Sequence, residues 1–397
     1  MGKKKILWIG DGGVASGFAR VNHSIISRLP EEYEVHHLAV NYKGDPYPDA
    51  DHYMYPAERT PGDYLGFYRV QELYQKIQPD LVFVLNDPWV IVDYMRFIPA
   101  TSKTVVYTPV DAHPLDANWV NVLNVLNQVV TYTEFGKRAF TSVKPDFKEI
   151  EVVPHGIDRD RFFPIDRLEA RRQMGDQMPM DGFIVLNANR NQPRKRIDLT
   201  MKAFSEFAQD KDNVYLYLHM GVKDMGWNIK KLAARYGFKP RQLILTSENT
   251  GPSQYVSDEY LNLIYNATDV GINTSLGEGW GLVSVEHGLC GVPQIVPNSS
   301  APAEIFPDNT VQKIDISHYE PYTETLTESA VVSVANTVEC LNKYYYDKEF
   351  AREHAVNLRN YLLQPQFDWD NVTKRFVDIF ERVLNDNNVP DGHQRSN

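Results

Sequence analysis

Short unbroken apolar runs alternate with stretches in which apolar residues return every three or four positions, and the chain does this twice over. Runs such as Leu81-Val82-Phe83-Val84-Leu85 lack the in-out alternation of a half-wetted strand and fit parallel strands buried on both faces. In the first half the pattern predicts strands near 5–10, 33–41, 80–85, 103–108, 128–132 and 149–153. Helices are predicted between them near 17–29, 63–78, 87–97, 116–126 and 133–142. The second half repeats the scheme, with strands near 182–188, 213–219, 242–246, 269–273 and 293–296. Its helices fall near 195–210, 226–236, 257–268, 280–290 and 301–306. Strands and helices in strict alternation place the chain in the α/β class.

Both periodicities fail between Pro154 and Asp181, where Pro154, Pro164, Pro179 and the polar segment 158–161 intervene. A chain of 397 residues is also longer than one hydrophobic core usually serves. Two domains are therefore expected, 1–160 and 161–366, followed by a C-terminal helix and tail over 367–397. After Pro321 the chain reads as mostly helical. Phe367-Asp368-Trp369-Asp370 reads as a helix start, and Val372, Phe376, Ile379, Phe380 and Val383 share one face of the helix it begins. The polar end from 385 onward reads as frayed. No period of 20–50 residues recurs, which excludes solenoids and propellers.

A net charge of −11 disfavours a broad nucleic-acid or anionic-membrane footprint, since such surfaces need excess Lys and Arg. Cys290 and Cys340 are too few for a disulfide framework or a zinc cluster, so a reducing cytoplasm is the simpler setting, one bridge remaining open. Ile6-Leu7-Trp8-Ile9 is shorter than a signal peptide's apolar region, and no later run reaches the length of a membrane span.

Four segments carry candidate chemistry. The segment 273–286 holds Glu278 and Glu286 eight positions apart around a glycine turn, between a short strand and a helix. Glu278 is expected at the helix N-terminus, facing open space. Glu286, one turn from Leu282 and Leu289, borders the apolar face, where a carboxylate needs a hydrogen-bonding partner such as a ribose diol. The segment 187–198 crowds Arg190, Arg194, Lys195 and Arg196 at a helix entrance, where the helix dipole prefers anions. A bound phosphate would relieve that conflict, and a solvated turn or salt-bridge hub would also explain it. Asp111 and His113 follow a first-half strand, at the edge where open α/β sheets bind ligands, and could orient or deprotonate a hydroxyl. The turn 10–17, with Gly12 and Gly13, lets backbone amides approach an anion, a tight turn serving only the fold being the bland alternative. It departs from the dinucleotide fingerprint, with Ala15 in the third glycine place and no carboxylate after the second strand. His155 reads as a loop or hinge residue. The Asp-x-Asp pairs at 158–160 and 368–370 read as a turn and a helix cap, so no metal site is expected. The Tyr- and Pro-rich stretch 41–68 reads as a surface loop that could face an acceptor.

Together these residues resemble the family 4 glycosyltransferases, retaining enzymes of the GT-B fold, over nearly the whole chain. Glu278 and Glu286 look like that family's paired glutamates, and Pro154-His155-Gly156-Ile157-Asp158 is similar to its Pro-Asn-Gly-Val-Asp linker. Arg190 and Lys195 fall where its diphosphate-binding Arg and Lys lie. The wording around 12–20 and 189–196 also resembles uncharacterised viral and phage-encoded members. The resemblance implies two Rossmann-like, doubly wound parallel-sheet domains facing an interdomain cleft, with the last helix crossing back to the first. It implies a metal-independent hexosyltransferase that uses a nucleotide-diphosphate sugar, UDP-glucose above all, and no other cofactor. Arg190 and Lys195 would stabilise the leaving diphosphate, with Gly12 and Gly13 closing over it. Glu278 and the backbone of Gly279, Trp280, Gly281 and Leu282 would hold sugar hydroxyls, and Glu286 the ribose. The family's histidine after the fourth strand is replaced here by Asp111 first and His113 two residues on, leaving open which meets the sugar. The acceptor stays open among glycan, nucleic-acid base, lipid and protein. A sugar-nucleotide epimerase or hydrolase on the same fold, or a sugar-nucleotide-binding pseudoenzyme, are the alternatives.

Overall fold

The unbroken apolar runs become two parallel sheets, each in its own compact unit. The computed structural model describes residues 2–14, 16–45, 51–176, 178–247 and 256–386. Met1–Gly156 with Pro365–Asn397 forms the first unit and Ile157–Gln364 the second. The sequence pattern places these divisions at 160 and 366; the expected frayed end lies almost wholly outside the described residues.

In chain order the first unit contains β1 (Lys4–Asp11), α1 (Gly17–Ile26), β2 (Tyr33–Val40), β3 (Tyr53–Pro56), α2 (Phe67–Ile77) and β4 (Leu81–Leu85). It continues with α3 (Pro88–Tyr94), β5 (Thr104–Thr108), α4 (Ala117–Asn124), β6 (Gln128–Thr131), α5 (Glu134–Val143) and β7 (Ile150–Val152). The second unit opens with α6 (Arg167–Met174), β8 (Phe183–Asn187), α7 (Ile197–Phe207), β9 (Val214–Leu218), α8 (Ile229–Arg235) and β10 (Leu243–Leu245). Then come α9 (Asp258–Asn266), β11 (Val270–Ile272), α10 (Leu282–Leu289), β12 (Gln294–Pro297), α11 (Ser300–Ile305) and β13 (Gln312–Ile314). The hairpin β14 (Ile316–Pro321) and β15 (Glu328–Val332) precedes α12 (Val334–Tyr346) and α13 (Lys348–Leu362). The chain then returns to the first unit as α14 (Trp369–Asn385).

The first sheet runs β3-β2-β1-β4-β5-β6-β7 and the second β10-β9-β8-β11-β12-β13, every neighbour parallel. In each, strand order reverses beside the first strand, between β1 and β4 and between β8 and β11. Loops leaving the carboxyl ends of strands diverge at such a point and leave room for a ligand.

Sequence expectation and structure part at identifiable places. β3 is an edge strand whose side chains are exposed or half-buried, so it carries no apolar run. α6 buries only Ala170 and Arg171 and shows no apolar stripe. The stretch after Pro321 is not uniformly helical, since β15 pairs antiparallel with β14 before α12 begins. α10 begins at Leu282 rather than 280, because Gly281 sits at φ +96° in the left-handed region and caps it.

On the first sheet, alternate residues of β1 face opposite ways. Leu7 and Ile9 join the core with Val70, Leu73, Val82, Val84 and Ile91. Trp8 lies against Phe83, the rings tilted by 33° with centres 3.9 Å apart, and Phe376 and Phe380 of α14 pack edge-on against Phe83 at 5.7 and 5.6 Å. The stripe Val372, Phe376, Ile379, Phe380 and Val383 is wholly buried there. In the second unit α7 and α12 help to enclose the core around Val185, Leu216, Phe204 and Leu341.

Candidate functional site

At the switch point of the second sheet, Val185 pairs with Val270 and Leu186 with Gly271, so the segments leaving β8 and β11 start side by side. A buried polar network ties them. Asn187 Nδ2 donates to Thr200 Oγ1 at 2.9 Å, and Thr200 and Thr274 share a hydroxyl contact at 2.7 Å. Thr274 Oγ1 in turn donates to the Arg196 carbonyl at 2.9 Å, and the Leu276 amide donates to the Arg194 carbonyl at 2.9 Å. The chain passes from β8 through a single 3-10 turn, Pro193–Lys195, so α7 begins after Lys195 rather than at it. Arg196 closes that turn at φ +46°, a conformation non-glycine residues keep only when their surroundings impose it.

Lys195 is thereby aimed at Glu278. Its ammonium donates to both carboxylate oxygens at 2.7 and 2.8 Å, and Ser275 Oγ and Asn273 Nδ2 donate to Oε1 at 2.7 and 3.0 Å. The Glu278 amide donates to Ser300 Oγ at 3.1 Å, and Ser300 is itself in the left-handed region at φ +49°. Glu278 is only 6% exposed and lies four residues ahead of α10, which corrects the expectation of a helix-end carboxylate facing open space. Burial alone would push its carboxyl up, but the Lys195 and Arg194 cations and the hydrogen bonds outweigh it and hold the group at about 2.

Each of the four crowded cations has a counter-group. Arg190, half exposed, grips the buried Asp224 carboxylate through Nε and Nη2 at 3.1–3.2 Å. Arg194 donates to the Gly277 carbonyl at 2.5 Å, and Arg196 is paired with Asp198 at 3.0 Å. The salt-bridge hub is therefore present. Beside it, Asn191 exchanges hydrogen bonds with both backbone groups of Trp227 at 2.8 Å, fastening the β8–α7 segment to the β9–α8 loop. Glu286, nearly buried, accepts from the Tyr265 hydroxyl at 2.9 Å. Trp280 is buried, while Gly279, Gly281 and Leu282 are half-buried at the start of α10. Asp224, Tyr265, Asn273, Ser275 and Ser300 carry no chemical signal of their own in the sequence. Asking which groups satisfy a buried carboxylate or counter four clustered cations points to this kind of residue, though not to these positions.

The first-unit candidates are spread along its sheet edge. The turn after β1 is fixed by packing: a Cβ on Gly12 would lie 2.5 Å from the Ala39 Cβ, and one on Gly13 would lie 2.6 Å from the Tyr42 ring. Asp11, whose carboxyl burial raises, accepts from Ser16 Oγ at 2.5 Å and Asn41 Nδ2 at 3.2 Å. Ala15, the third-glycine position, lies outside the described residues, as do 46–50 of the stretch 41–68. Asp111 is half-buried, and His113 is exposed with its ring 5.8 Å from Phe135. His155 is fully packed, its ring 2.8 Å from the Tyr107 hydroxyl, and burial lowers it to about 3. Asp368 caps α14, and no cluster of three His, Cys, Asp or Glu suited to a metal ion occurs among the described residues. Cys290 and Cys340 are free and buried.

Residues 172–321 match the family described as "Glycosyl transferases group 1". D-inositol 3-phosphate glycosyltransferase of Mycobacterium leprae is 23% identical over 330 residues, covering 81% of this chain and 71% of that protein. The sucrose-phosphate synthase of Thermosynechococcus elongatus superposes with a TM-score of 0.70 at 15% identity, covering 96% of this chain and 99% of the other. Anabaena HepE, solved in complex with UDP and glucose, gives 0.70 at 16% identity over 96% and 100%. The two parallel-sheet units have the GT-B fold.

Proposed function

We infer that this glycosyltransferase moves a hexose from a nucleotide-diphosphate sugar, UDP-glucose foremost, to an acceptor hydroxyl, with retention and without a metal ion. The observation that carries the reading is the Lys195–Glu278 pair: a cation and a buried hydrogen-bond acceptor side by side at the β8/β11 switch point. A sugar phosphate presents the matching pair of groups, an anionic oxygen next to hydroxyls. The UDP and glucose held by HepE support this donor class.

In this reading Lys195 and Arg190 take up the charge that gathers on the diphosphate as its bond to the anomeric carbon breaks. Glu278 and the backbone from Gly279 to Leu282 orient the sugar, and Glu286 with Tyr265 borders the ribose. Asp111 and His113 orient the acceptor hydroxyl. The acceptor oxygen bonds to the anomeric carbon on the face the phosphate leaves. Its proton passes to the departing phosphate oxygen, and the bonding pair leaves with the nucleoside diphosphate. Two free, buried thiols suit a reducing compartment. Among the described residues no helix is long and apolar enough to cross a membrane.

The test is product analysis by mass spectrometry and proton NMR, with UDP-glucose and an acceptor extract from the native source. An acceptor-dependent product whose anomeric configuration matches the donor's is expected. Donor turnover without acceptor, an epimerised donor or an inverted linkage would overturn the reading.

A further inference from the structure

Two tryptophans stand where the first sheet's carboxyl edge turns into helices. β4 and β5 are neighbours, Leu85 pairing with Tyr107, and each runs into a helix that puts a tryptophan in its first turn, Trp89 in α3 and Trp119 in α4. The two rings lie 5.5 Å apart at 47°. Neither belongs to its helix's buried set, which is Pro88, Ile91, Val92 and Tyr94 in α3 and Val120 and Leu123 in α4. Trp89 is 36% exposed and Trp119 half-buried. Large rings off the core face, paired at a ligand-binding edge, call for an explanation that packing does not give.

The surrounding charges narrow what they could meet. The loops that carry them, 86–89 and 109–119, contain Asp87, Asp111 and Asp116 and no Lys or Arg. Asp116 caps α4 by accepting from the Asn118 amide at 2.7 Å, while Asp87 and Asp111 are half-buried beside the rings' strands. Neither loop offers a lysine or arginine to a phosphate-bearing ligand, whether a nucleic acid or a sugar phosphate, and both carry carboxylates. A neutral saccharide offers what the edge can use, namely apolar C–H faces for the indoles and hydroxyl protons for carboxylate oxygens.

We propose that Trp89 and Trp119 form the acceptor platform and that the acceptor is a neutral saccharide. The proposal rests on the glycosyltransferase reading for the word acceptor, while the saccharide site itself belongs to the first unit alone.

The test titrates the full chain with maltotriose, cellotriose and chitotriose by saturation-transfer NMR, with a thymidine oligonucleotide and inositol phosphate as anionic probes. UDP-glucose binding is followed separately by calorimetry. At least one trisaccharide is expected to bind and neither anionic probe. Trp89→Ala and Trp119→Ala should each weaken that saccharide about tenfold, with UDP-glucose affinity unchanged. Trp89→Phe, which keeps an aromatic face, should restore most of the loss, and thermal melts identify any variant that has merely unfolded. Failure of every trisaccharide at millimolar concentration, binding of an anionic probe instead, or saccharide binding indifferent to both alanine variants would each overturn the platform. Loss of UDP-glucose binding with saccharide binding intact would count against the donor reading and leave the platform standing.

Discussion

Lys195 and Glu278 are two opposite charges held almost out of water, each 12% exposed or less at its side chain. Such a pair contributes little net stability when intact but is costly to break, because the remaining charge stays buried. Lys195→Ala is expected to lower unfolding free energy by about 3 kcal/mol in denaturant titrations, with the Lys195→Met/Glu278→Gln double variant recovering a large part. Transfer should fall roughly a hundredfold in Lys195→Ala, read as kcat/KM. Since folding depresses the Glu278 carboxyl from its ordinary 4.5 to about 2, its stabilisation is complete above 4.5 and is lost as pH falls through 2. Glu278→Gln should therefore flatten the stability curve in that window. Asp224 holds the Arg190 guanidinium in place. If Arg190 stabilises the leaving diphosphate, Asp224→Asn is expected to lower kcat about fivefold with a smaller change in donor KM, and an unchanged kcat would remove that role. Glu278 and the cation cluster were legible in the sequence because the residue types are distinctive. Their pairing was not, because which cation meets which carboxylate depends on residues 83 positions apart being brought together by neighbouring strands.

At the scale of elements, periodicity located the strands that sheets bury on both faces and the helices with an apolar stripe, from β1 through α14. It failed at the edge strands β3 and β13 and the polar helix α6, where burial is one-sided or absent, and at the β14–β15 hairpin, where β14 is mostly exposed although β15 is buried. The apolar stripe of α14 reads in sequence as ordinary core packing, and its partners show what it completes: Phe376 and Phe380 close the face of the first sheet carrying Trp8, Phe83 and Tyr107. Phe376→Ala should cost about 3–4 kcal/mol in denaturant titrations. Gly12→Ala should destabilise the same unit by roughly 1–3 kcal/mol, since its methyl meets Ala39 before any ligand is present. If Gly12→Ala left thermal stability unchanged, the turn would not be fixed by packing in the way described.

For the whole molecule, buried neutral histidines set the acid limit. Burial lowers His155 and His287 to about 3 and His219 to about 4, and pushes His37 down as well. Each binds its proton more readily when unfolded, so their contribution is fully present above the ordinary 6.5 and is lost as pH falls towards those values. Melting temperature should decline steadily below pH 6.5, in both units, before carboxylates such as Glu278 titrate. A melting temperature flat down to pH 4.5 would contradict this. The α/β class and the doubled design were visible along the chain, whereas the partition of α14 into the first unit follows from packing that no local pattern encodes.

Every other assigned role depends on the second unit holding a nucleotide-diphosphate sugar through Lys195 and Glu278. Calorimetric titration of the full chain with UDP-glucose, alongside GDP-mannose, tests it most directly, comparing the wild type with Lys195→Ala and Glu278→Ala. One saturable site is expected for at least one donor, weakened tenfold or more in both variants, as the loss of a charged hydrogen bond implies. Failure of both donors to bind, or equal affinity in all three proteins, would show that Lys195 and Glu278 do not hold the donor.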